Sequence, residues 1–470
     1  MSDVGTAWPT AASDDDSRVV TLRATRGTCP VCVEVVDARV VEVDGQVLLE
    51  KSCPHHGRHR ALLSRHPRYF AELLEFFHDV MPESLPQRDF ILRLTARCNM
   101  RCPICLASAD EYQEEDLSQD ALERFLSSRG RRLKLDLMGA EPTVRRDLEE
   151  IVRLAHDRGH ITALHTNGLE LQDPARLERL VAAGLDEVHL QFDGFADEHD
   201  LVLRGRPMRA VRERVLASLE QHRVATDLVV TVLRGLNEAQ MEPVLAYAAA
   251  HPFVKEVFYL GCRRLGRATE DFKDDCVAPD ELIDDLERET GGRVARRDVR
   301  VFQKLYFSLL AAFRVRKCLY IHHYMVVRSK GGYRPVAELV DLAYLEPRLE
   351  RFRRLLRRSR ALAAPYLLLH AAVAVLRRRG LPLLLDGALL SLMLLLGFDL
   401  SRIKRRVILI GFITACDPWI HDVEVAANCG KGEVAGDVGT HDAGADANVA
   451  RERLHRSGRL PRRVPGHGPA

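Results

Sequence analysis

The sequence lacks an excess of charge of either sign. Its 470 residues include 69 Lys and Arg against 67 Asp and Glu, so the chain has no overall basic field of the kind that attracts nucleic acid. We therefore expect no nucleic-acid partner. Hydrophobic residues make up 46% of the chain and charged residues 29%, which allows a sizeable core and excludes wholesale disorder. The length favours more than one domain.

Long apolar segments are also missing. Residues 1–17 are polar and contain no apolar stretch typical of a secretory leader, so we expect a disordered tail over 1–17 and a cytoplasmic location. Two apolar runs, 361–376 and 381–398, are interrupted or short, whereas a membrane span needs about 20 residues. Flanking arginines suit either peripheral contact with an anionic membrane or a helical cap on the main domain.

The cysteines show no even spacing of the kind that a disulfide framework has. Several of the 11 stand in C-x2-C groups, a pattern typical of metal sites in a reducing compartment.

The first group lies in a small unit that we predict over 18–63. Two β-rich runs joined at Asp44-Gly45 predict a hairpin. Cys29, Cys32, Cys53 and His56 would meet at one side of it, with His55 as an alternative to His56. This is the ligand set of a structural zinc ribbon or an iron-binding rubredoxin-like knuckle.

Residues 64–88 read as a helical linker that ends in prolines. From 89 to 300, short apolar runs alternate six times with amphipathic helical patterns, which predicts parallel strands joined by right-handed crossovers. The strands are expected at 90–95, 133–138, 161–165, 187–192, 226–232 and 255–260. The helices are expected at 117–129, 147–157, 174–183, 208–222, 238–250 and 279–290. We predict the α/β class and a partial (β/α)6 barrel.

Glycine with polar or charged residues follows most of these strands. Such residues at the carboxyl ends of parallel strands converge on one mouth of a barrel, where catalytic groups of this fold lie. The first strand leads into Cys98-Asn99-Met100-Arg101-Cys102-Pro103-Ile104-Cys105. Three thiolates can hold three corners of a cubane iron–sulfur cluster and leave one iron open, since an ordinary cluster of this kind takes four. A zinc loop, or cysteines buried as small hydrophobic residues, are the alternatives.

The region from about 89 to 290 resembles the radical S-adenosylmethionine (SAM) superfamily. Cys98, Cys102 and Cys105 match its cluster motif, and Gly139-Ala140-Glu141-Pro142 is similar to its Gly-Gly-Glu-Pro element with one Gly changed to Ala. The resemblance implies a [4Fe–4S] cluster whose open iron binds SAM. It also implies that Glu141 and the neighbouring backbone lie near the methionyl amino group and Ile104 near the adenine. Asn167 and Asp193 are the expected contacts to ribose or methionyl.

The resemblance can be narrowed to the branch of archaeal tetraether lipid synthases and related pterin methylases. It rests on the two Cys-Pro units before the barrel, on 190–194 followed by Arg204-Gly205, and on 231–237. That branch generally carries further iron–sulfur clusters. Here the remaining cysteines are scattered and support at most one such cluster, for which Cys318 is the candidate ligand; they are Cys262, Cys276, Cys318, Cys416 and Cys429.

The last third of the chain changes character. We predict a helical, apolar region over 301–428 and a disordered tail over 429–470, which is Gly- and Asp-rich and then basic. The resemblance implies an enzyme that cleaves SAM with an external one-electron reductant. Its radical would abstract hydrogen for C–C bond formation or methylation, and apolar helices at the site would favour an apolar small molecule or lipid as substrate. The alternatives are a peptide- or cofactor-modifying enzyme, a non-catalytic iron–sulfur protein, and a membrane protein with an attached cluster domain.

Overall fold

A computed structural model provides the fold. It describes residues 19–81, 87–130, 132–269, 276–315, 318–380, 406–427 and 429–436, together with positions 272, 383–384, 439–441, 450, 453 and 455. The tail predicted over 1–17 and nearly all of the second apolar run, 381–398, lie outside these residues.

An antiparallel sheet of four strands forms the N-terminal unit. Its strands lie in sequence order and are β1 (Val20–Thr28), β2 (Val35–Val43), β3 (Gln46–Cys53) and β4 (Gly57–Ser64). The hairpin at Asp44-Gly45 is confirmed, because Val43 pairs with Gln46 and both turn residues have positive φ. The long connection between β1 and β2 and the short one between β3 and β4 lie at the same end of the sheet, which brings the two Cys-Pro units together.

Helix α1 (Pro67–Val80) follows this sheet. Proline occupies its first turn, where the missing N–H costs nothing. The helix was expected, but its description as a linker is wrong. Phe76 and Phe77 are fully buried, and the Phe77 ring meets that of Phe307 at 5.2 Å between centroids. The helix is therefore part of the main hydrophobic core.

Six parallel strands, adjacent in sequence order, form the barrel wall, and each lies within one residue of its predicted position. They are β5 (Asp89–Thr95), β6 (Lys134–Gly139), β7 (Ile161–Thr166), β8 (Glu187–Gln191), β9 (Ala225–Val232) and β10 (Val254–Gly261). The helices that cover the wall are α2 (Gln119–Ser128), α3 (Leu148–Asp157), α4 (Pro174–Ala182), α5 (Asp197–Arg204), α6 (Arg209–Gln221), α7 (Met241–Ala250) and α8 (Pro279–Glu289). The predicted partial (β/α)6 barrel is confirmed, and α5 is an additional helix.

Both edges of this wall are extended by strands from the last third of the chain. Beside β10 lie β11 (Ile321–Ser329), β12 (Gly332–Pro335) and β13 (Val407–Thr414), and β13 runs parallel to β10. Beside β5 lies β14 (Gly432–Ala435), which is parallel to it, followed by β15 (Gly439–His441). Edge strands expose unpaired N–H and C=O groups, and these additions satisfy them. The prediction of disorder from 429 is therefore wrong for β14 and β15, which are too short for periodicity to detect.

Helices α9 (Arg296–Phe313), α10 (Leu342–Leu356) and α11 (Arg360–Arg377) confirm the helical C-terminal region, although that region also contains β11 to β13. A short helix, α12 (Val423–Ala427), packs beside β1. Among the described residues, α11 alone has the length and composition that a membrane span requires. Only 17% of its apolar window is buried, and Leu362 and Leu369 are 65% and 60% exposed.

Candidate functional site

The loop after β5 places three free cysteines at the mouth of the barrel. Its turns are closed by backbone hydrogen bonds, and two sulfurs accept backbone N–H groups, Cys98 from Met100 at 3.3 Å and Cys105 from Ala109 at 3.5 Å. Burial raises the pKa of Cys98 to about 12 and raises that of Cys102 as well. Thiols in such an environment lose their protons when a metal supplies positive charge. The donor set fits an iron–sulfur cluster.

A second segment, after β10, holds this loop from the side. A Cβ on Gly266 would lie 2.2 Å from the carbonyl oxygen of Cys105, so the two backbones touch. Arg267 donates its backbone N–H to the same oxygen at 3.0 Å and its Nη1 to the Cys102 carbonyl at 3.3 Å. The side chain of Arg267 also pairs with Glu111. No sequence motif pointed to this clamp, since its partners are far away along the chain.

The turn after β6 lies against the root of the cysteine loop. Ala140 donates its N–H to the Thr95 carbonyl at 2.8 Å, and Glu141 donates to the Arg97 carbonyl at 3.0 Å. Gly139 has φ of +134°, and a Cβ there would lie 2.2 Å from the Thr95 oxygen. Only glycine fits this approach. Pro142 begins the short 3-10 turn that follows and is buried.

The carboxylate of Glu141 joins the ends of β6 and β7. It is 1% exposed and accepts hydrogen bonds from the Thr143 hydroxyl at 2.6 Å, the Thr166 hydroxyl at 2.8 Å and the Asn167 N–H at 2.8 Å. Burial raises its pKa despite these donors. The contacts lie within the protein, so the expected role of Glu141 beside a methionyl amino group stays a prediction.

Asn167 lies next to the cysteine loop, and Ile104 belongs to it. The Asn167 amide donates to Asn99 Oδ1 at 2.8 Å and lies 3.9 Å from Cys98 Sγ. Ile104 is buried in a small apolar cluster with Leu203 and Leu233. Their expected contacts with ribose or methionyl and with adenine stay predictions.

Asp193 forms the centre of a buried ionic network. Its carboxylate accepts two hydrogen bonds from Arg204, at 2.7 and 2.8 Å, and one from Arg212 at 3.0 Å. Burial alone would raise the pKa of the Asp193 carboxyl. Because the positive charges of Arg204 and Arg212 outweigh this effect, the pKa lies below its usual value. Arg204 in turn approaches Cys102, and its positive charge acts against the burial that raises the thiol pKa. Asp193 thus orients Arg204 toward the cysteine loop, and its expected contact with ribose or methionyl stays a prediction.

The N-terminal ribbon brings its four predicted ligands together. The ligand atoms of Cys29, Cys32, Cys53 and His56 all lie within 4.8 Å of one another. Cys53 Sγ is 3.4 Å from His56 Nδ1 and 3.9 Å from Cys32 Sγ. Ligands at about 2.0–2.3 Å from a tetrahedral zinc ion lie about 3.3–3.8 Å apart, so this group fits a metal. His56 is the histidine in the group.

The remaining cysteines lie in two groups of neighbours. Burial raises the pKa of Cys416 well above its usual range, and the neighbouring Cys318 and Cys429 raise it further. Cys262 and Cys276 form a second neighbouring pair beside Arg263. Their separation in sequence, up to 111 residues between Cys318 and Cys429, hid this proximity. A further cluster with Cys318 stays a prediction.

Two family models match the chain. Residues 92–248 match the Radical SAM superfamily, and residues 21–65 match the HMPTM N-terminal zinc ribbon domain. The radical SAM superfamily uses a [4Fe–4S] cluster and SAM. In this chain the ribbon precedes the cysteine loop and the barrel, in the order that the sequence predicted. These matches confirm the superfamily, the cofactors and the ribbon as predicted from the sequence.

The curated relatives are enzymes. A 7,8-dihydro-6-hydroxymethylpterin dimethyltransferase from Methanocaldococcus jannaschii is 28% identical over 59% of this chain and 60% of its own length. A GTP 3',8-cyclase from Limosilactobacillus fermentum is 27% identical over 41% of this chain and 59% of its own length. The chain therefore spans about three fifths of the length of these relatives. The crystal structure of Streptococcus suis SuiB bound to S-adenosylmethionine has a TM-score of 0.36 at 12% identity, covering 48% of this chain and 50% of that one.

Proposed function

We propose, from the premise that residues 92–248 are a radical SAM domain, that this chain is an enzyme that cleaves SAM reductively at a cluster held by Cys98, Cys102 and Cys105. The observation that carries the proposal is the loop of three free thiols clamped between the turn at Gly139 and the side chain of Arg267. Three thiolates leave one iron of a cubane cluster open to a small-molecule ligand. Cys98, Cys102 and Cys105 would hold the cluster, which with bound SAM would supply the 5′-deoxyadenosyl radical needed to remove a hydrogen atom from carbon.

The residues of the chain orient and shield this chemistry. Gly139 and Ala140 let the backbone after β6 approach the loop closely, and Arg267 fixes the loop from the opposite side. Glu141 and Asn167 lie on the Cys98 side, where we assign them to the methionyl part of SAM. Asp193 holds Arg204 beside Cys102 and acts as a positioning residue. Ile104, in its apolar cluster, is assigned to the adenine.

We assign methylation, with C–C bond formation, as the reaction class. Two relatives act on fused nitrogen heterocycles, a hydroxymethylpterin and GTP, and the first of them is a dimethyltransferase. This favours the cofactor-modifying alternative of the sequence analysis over the peptide-modifying one. The metal of the ribbon, zinc or iron, is assigned a structural role because its four ligands leave no open position.

A lipid or other apolar substrate is the second candidate. It is supported by α11, whose leucines Leu362, Leu369 and Leu376 recur every seven residues and are exposed. Together with the arginines around 351–360, the exposed leucine face of α11 suits peripheral contact with the anionic, cytoplasmic side of a membrane. Either substrate requires an external one-electron reductant for the cluster.

Anaerobic reconstitution with iron and sulfide tests the proposal. After dithionite and SAM are added, the wild-type protein should release 5′-deoxyadenosine, and the Cys98→Ala/Cys102→Ala/Cys105→Ala variant should release none. A Cys276→Ala variant is the matched control and should retain the product. If a cluster assembles in the wild type but no 5′-deoxyadenosine appears, the protein is a non-catalytic iron–sulfur protein.

A further inference from the structure

The inner face of the barrel carries carboxylates and imidazoles that belong neither to the cysteine loop nor to the ribbon. Side chains alternate along a strand, and on β6 to β9 the leucines and valines of one parity pack in the core beneath the covering helices. The opposite parity faces the inside of the barrel. We call five residues of this parity the inner group: Asp136 on β6, His165 on β7, Glu187 and His189 on β8, and Asp227 on β9.

The strand register arranges the inner group in two rows. His165, His189 and Asp227 lie opposite one another on β7, β8 and β9 and form the row nearer the mouth. Asp136 and Glu187 form the row below, with Ala163 between them on β7. Because Ala163 has a small side chain, the two lower carboxylates have room to approach the imidazole rings above them.

Donor atoms of Asp136, His165 and His189 converge. One ligand atom of each residue lies within 4.8 Å of those of the other two, and Asp136 Oδ1 is 3.5 Å from His165 Nε2. Nitrogen and oxygen donors at about 2.0–2.2 Å from a tetrahedral ion are about 3.3–3.6 Å apart. The Asp136–His165 pair therefore has the separation that a shared metal ion requires, whereas a good hydrogen bond between the two atoms would be shorter.

Two of these donor atoms are buried and have no hydrogen-bond partner in the described part of the chain. They are Asp136 Oδ1 and His165 Nε2. The Asp136 side chain is 0% exposed, and its other oxygen, Oδ2, accepts a hydrogen bond from Lys431. Burial lowers the pKa of His165 and of His189, so both rings are neutral near pH 7 and keep a lone pair. A cation between the carboxylate oxygen and the imidazole nitrogen would satisfy both atoms, which are costly to leave unsatisfied.

The neighbouring donors favour a cation less. Glu187, His189 and Asp227 also have ligand atoms within 4.8 Å of one another, but Lys134 Nζ already donates to Glu187 Oε2 at 2.6 Å. An ammonium group thus takes the place that a metal ion would have at that carboxylate. Glu187 Oε2 and Asp227 Oδ2 lie 3.5 and 3.2 Å from His189 Nε2. Carboxylates beside a metal-binding histidine orient its ring, and we assign Glu187 and Asp227 to this role.

The inner group has room for an ion and an open side toward the mouth. A bare ion lies between its ligand atoms, so it fits where these atoms leave no cavity for a larger molecule. The His165 side chain is 22% exposed, against 6% for His189 and 0% for Asp136. His165 also lies two residues before Asn167, whose amide is 3.9 Å from Cys98 Sγ. An ion would therefore enter from the mouth, past His165.

We propose that Asp136, His165 and His189 bind one divalent transition-metal ion inside the barrel, in addition to the metals of the cysteine loop and the ribbon. Two imidazoles and one carboxylate are a ligand set that zinc and ferrous iron both accept. Three protein ligands leave one position of a tetrahedral ion open, an arrangement typical of catalytic rather than structural sites. That position would take water or an oxygen or nitrogen atom of a substrate.

Zinc binding by the full-length chain tests the inference. The Cys98→Ala/Cys102→Ala/Cys105→Ala protein is used, because these cysteines would themselves bind zinc when no cluster is present. After dialysis against buffered zinc, metal analysis should find one ion for the ribbon and one for the barrel, and adding Cys53→Ala should remove only the first. X-ray absorption of the zinc that remains should show nitrogen and oxygen ligands at about 2.0–2.2 Å and no sulfur at about 2.3 Å.

Variants then locate the ligands. In the same cluster-free protein with an intact ribbon, Asp136→Asn and His165→Phe should each lose the barrel zinc and keep the ribbon zinc, which reports that the variant is folded. His160→Phe is the matched control, because His160 is a buried histidine just before β7 and lies outside the inner group. It should keep both ions.

Three outcomes would overturn the inference. If no zinc remains after Cys53→Ala, or if only sulfur ligates it, Asp136 and His165 are an ion pair and not a metal site. Retention of the barrel zinc in both Asp136→Asn and His165→Phe would exclude these ligands. Its loss in Glu187→Gln with retention in Asp136→Asn would assign the ion to the other three donors. None of these measurements involves SAM cleavage, so they leave the proposed function to its own test.

Discussion

The substitution Asp193→Asn should destabilise the fold by about 3–5 kcal/mol, the cost of breaking a buried ion pair by removing one charge. The Asp193 carboxylate is 1% exposed and accepts three hydrogen bonds from the guanidinium groups of Arg204 and Arg212. Arg212 keeps a second carboxylate, Asp200, at 2.8 Å. In a background without the Cys102 sulfur, its other neighbour, Arg204 is left with the Thr231 hydroxyl at 3.0 Å. Most of the cost therefore arises at Arg204.

Equilibrium urea unfolding measures this loss. The comparison is made in the Cys98→Ala/Cys102→Ala/Cys105→Ala background, because loss of a cluster would make unfolding irreversible. Asp200→Asn is the matched control and should cost less, about 1–3 kcal/mol, since Arg212 then keeps Asp193. The reasoning is refuted if Asp193→Asn costs less than about 1 kcal/mol while SAM affinity of the cluster-containing protein falls more than tenfold, because a direct cofactor contact would behave that way.

Three further outcomes are expected. Gly139→Ala should lower the free energy of unfolding in urea by at least about 3 kcal/mol, because φ is +134° and the new Cβ would meet the Thr95 oxygen. The control Gly159→Ala, with φ of +76° and open space around the new Cβ, should lower it by about 1 kcal/mol, and equal losses would contradict the packing described. Burial lowers the pKa of His322 to about 4, so the unfolded state, in which this pKa is about 6.5, takes up the proton first as the pH falls. The neutral ring should therefore make the free energy of unfolding decrease by about 2 kcal/mol between pH 7.5 and 5. His322→Gln should remove this part of the pH dependence of stability, and an unchanged pH dependence would contradict the prediction. Cys53→Ala should lose one bound zinc or iron by metal analysis and lower the melting temperature, while the triple cysteine variant keeps that metal; retention of the metal in Cys53→Ala would argue against the ribbon site.

The sequence was most informative where local pattern and tertiary role agree. Six apolar runs at β/α spacing placed the strands within one residue, because parallel strands buried on both faces differ clearly from amphipathic helices. The cysteine triplet and the ribbon ligands were readable because their spacing is short and their chemistry specific. The family, the cofactors and the ribbon are confirmed, whereas the roles of the individual cysteines and of His56 stay predictions.

What the sequence could not provide are contacts between residues far apart in the chain. Arg267 reaches Cys102 across 165 residues, and Lys431 reaches Asp136 across 295. The short strand β14 carries too few residues for an alternating pattern. The charged and imidazole side chains that β6 to β9 align inside the barrel were missed for a different reason. β6 and β8 carry two of them each and β7 and β9 one each; on any single strand they look like ordinary exceptions among apolar neighbours, and only the register shows that they face one another. The apolar substrate was inferred from the two apolar runs 361–376 and 381–398; the first forms α11, and nearly all of the second lies outside the described residues.

Electron paramagnetic resonance of the dithionite-reduced protein, recorded before and after addition of SAM, is the most direct test of whether SAM binds the cluster at this loop. A cluster held by Cys98, Cys102 and Cys105 has one iron without a protein thiolate, so SAM should change the g values of the reduced cluster. The change should be absent in the triple cysteine variant, which should assemble no such cluster. A [4Fe–4S] signal in the wild type that SAM leaves unchanged would mean that all four irons are already ligated, and it would contradict the assignment of this loop to SAM chemistry.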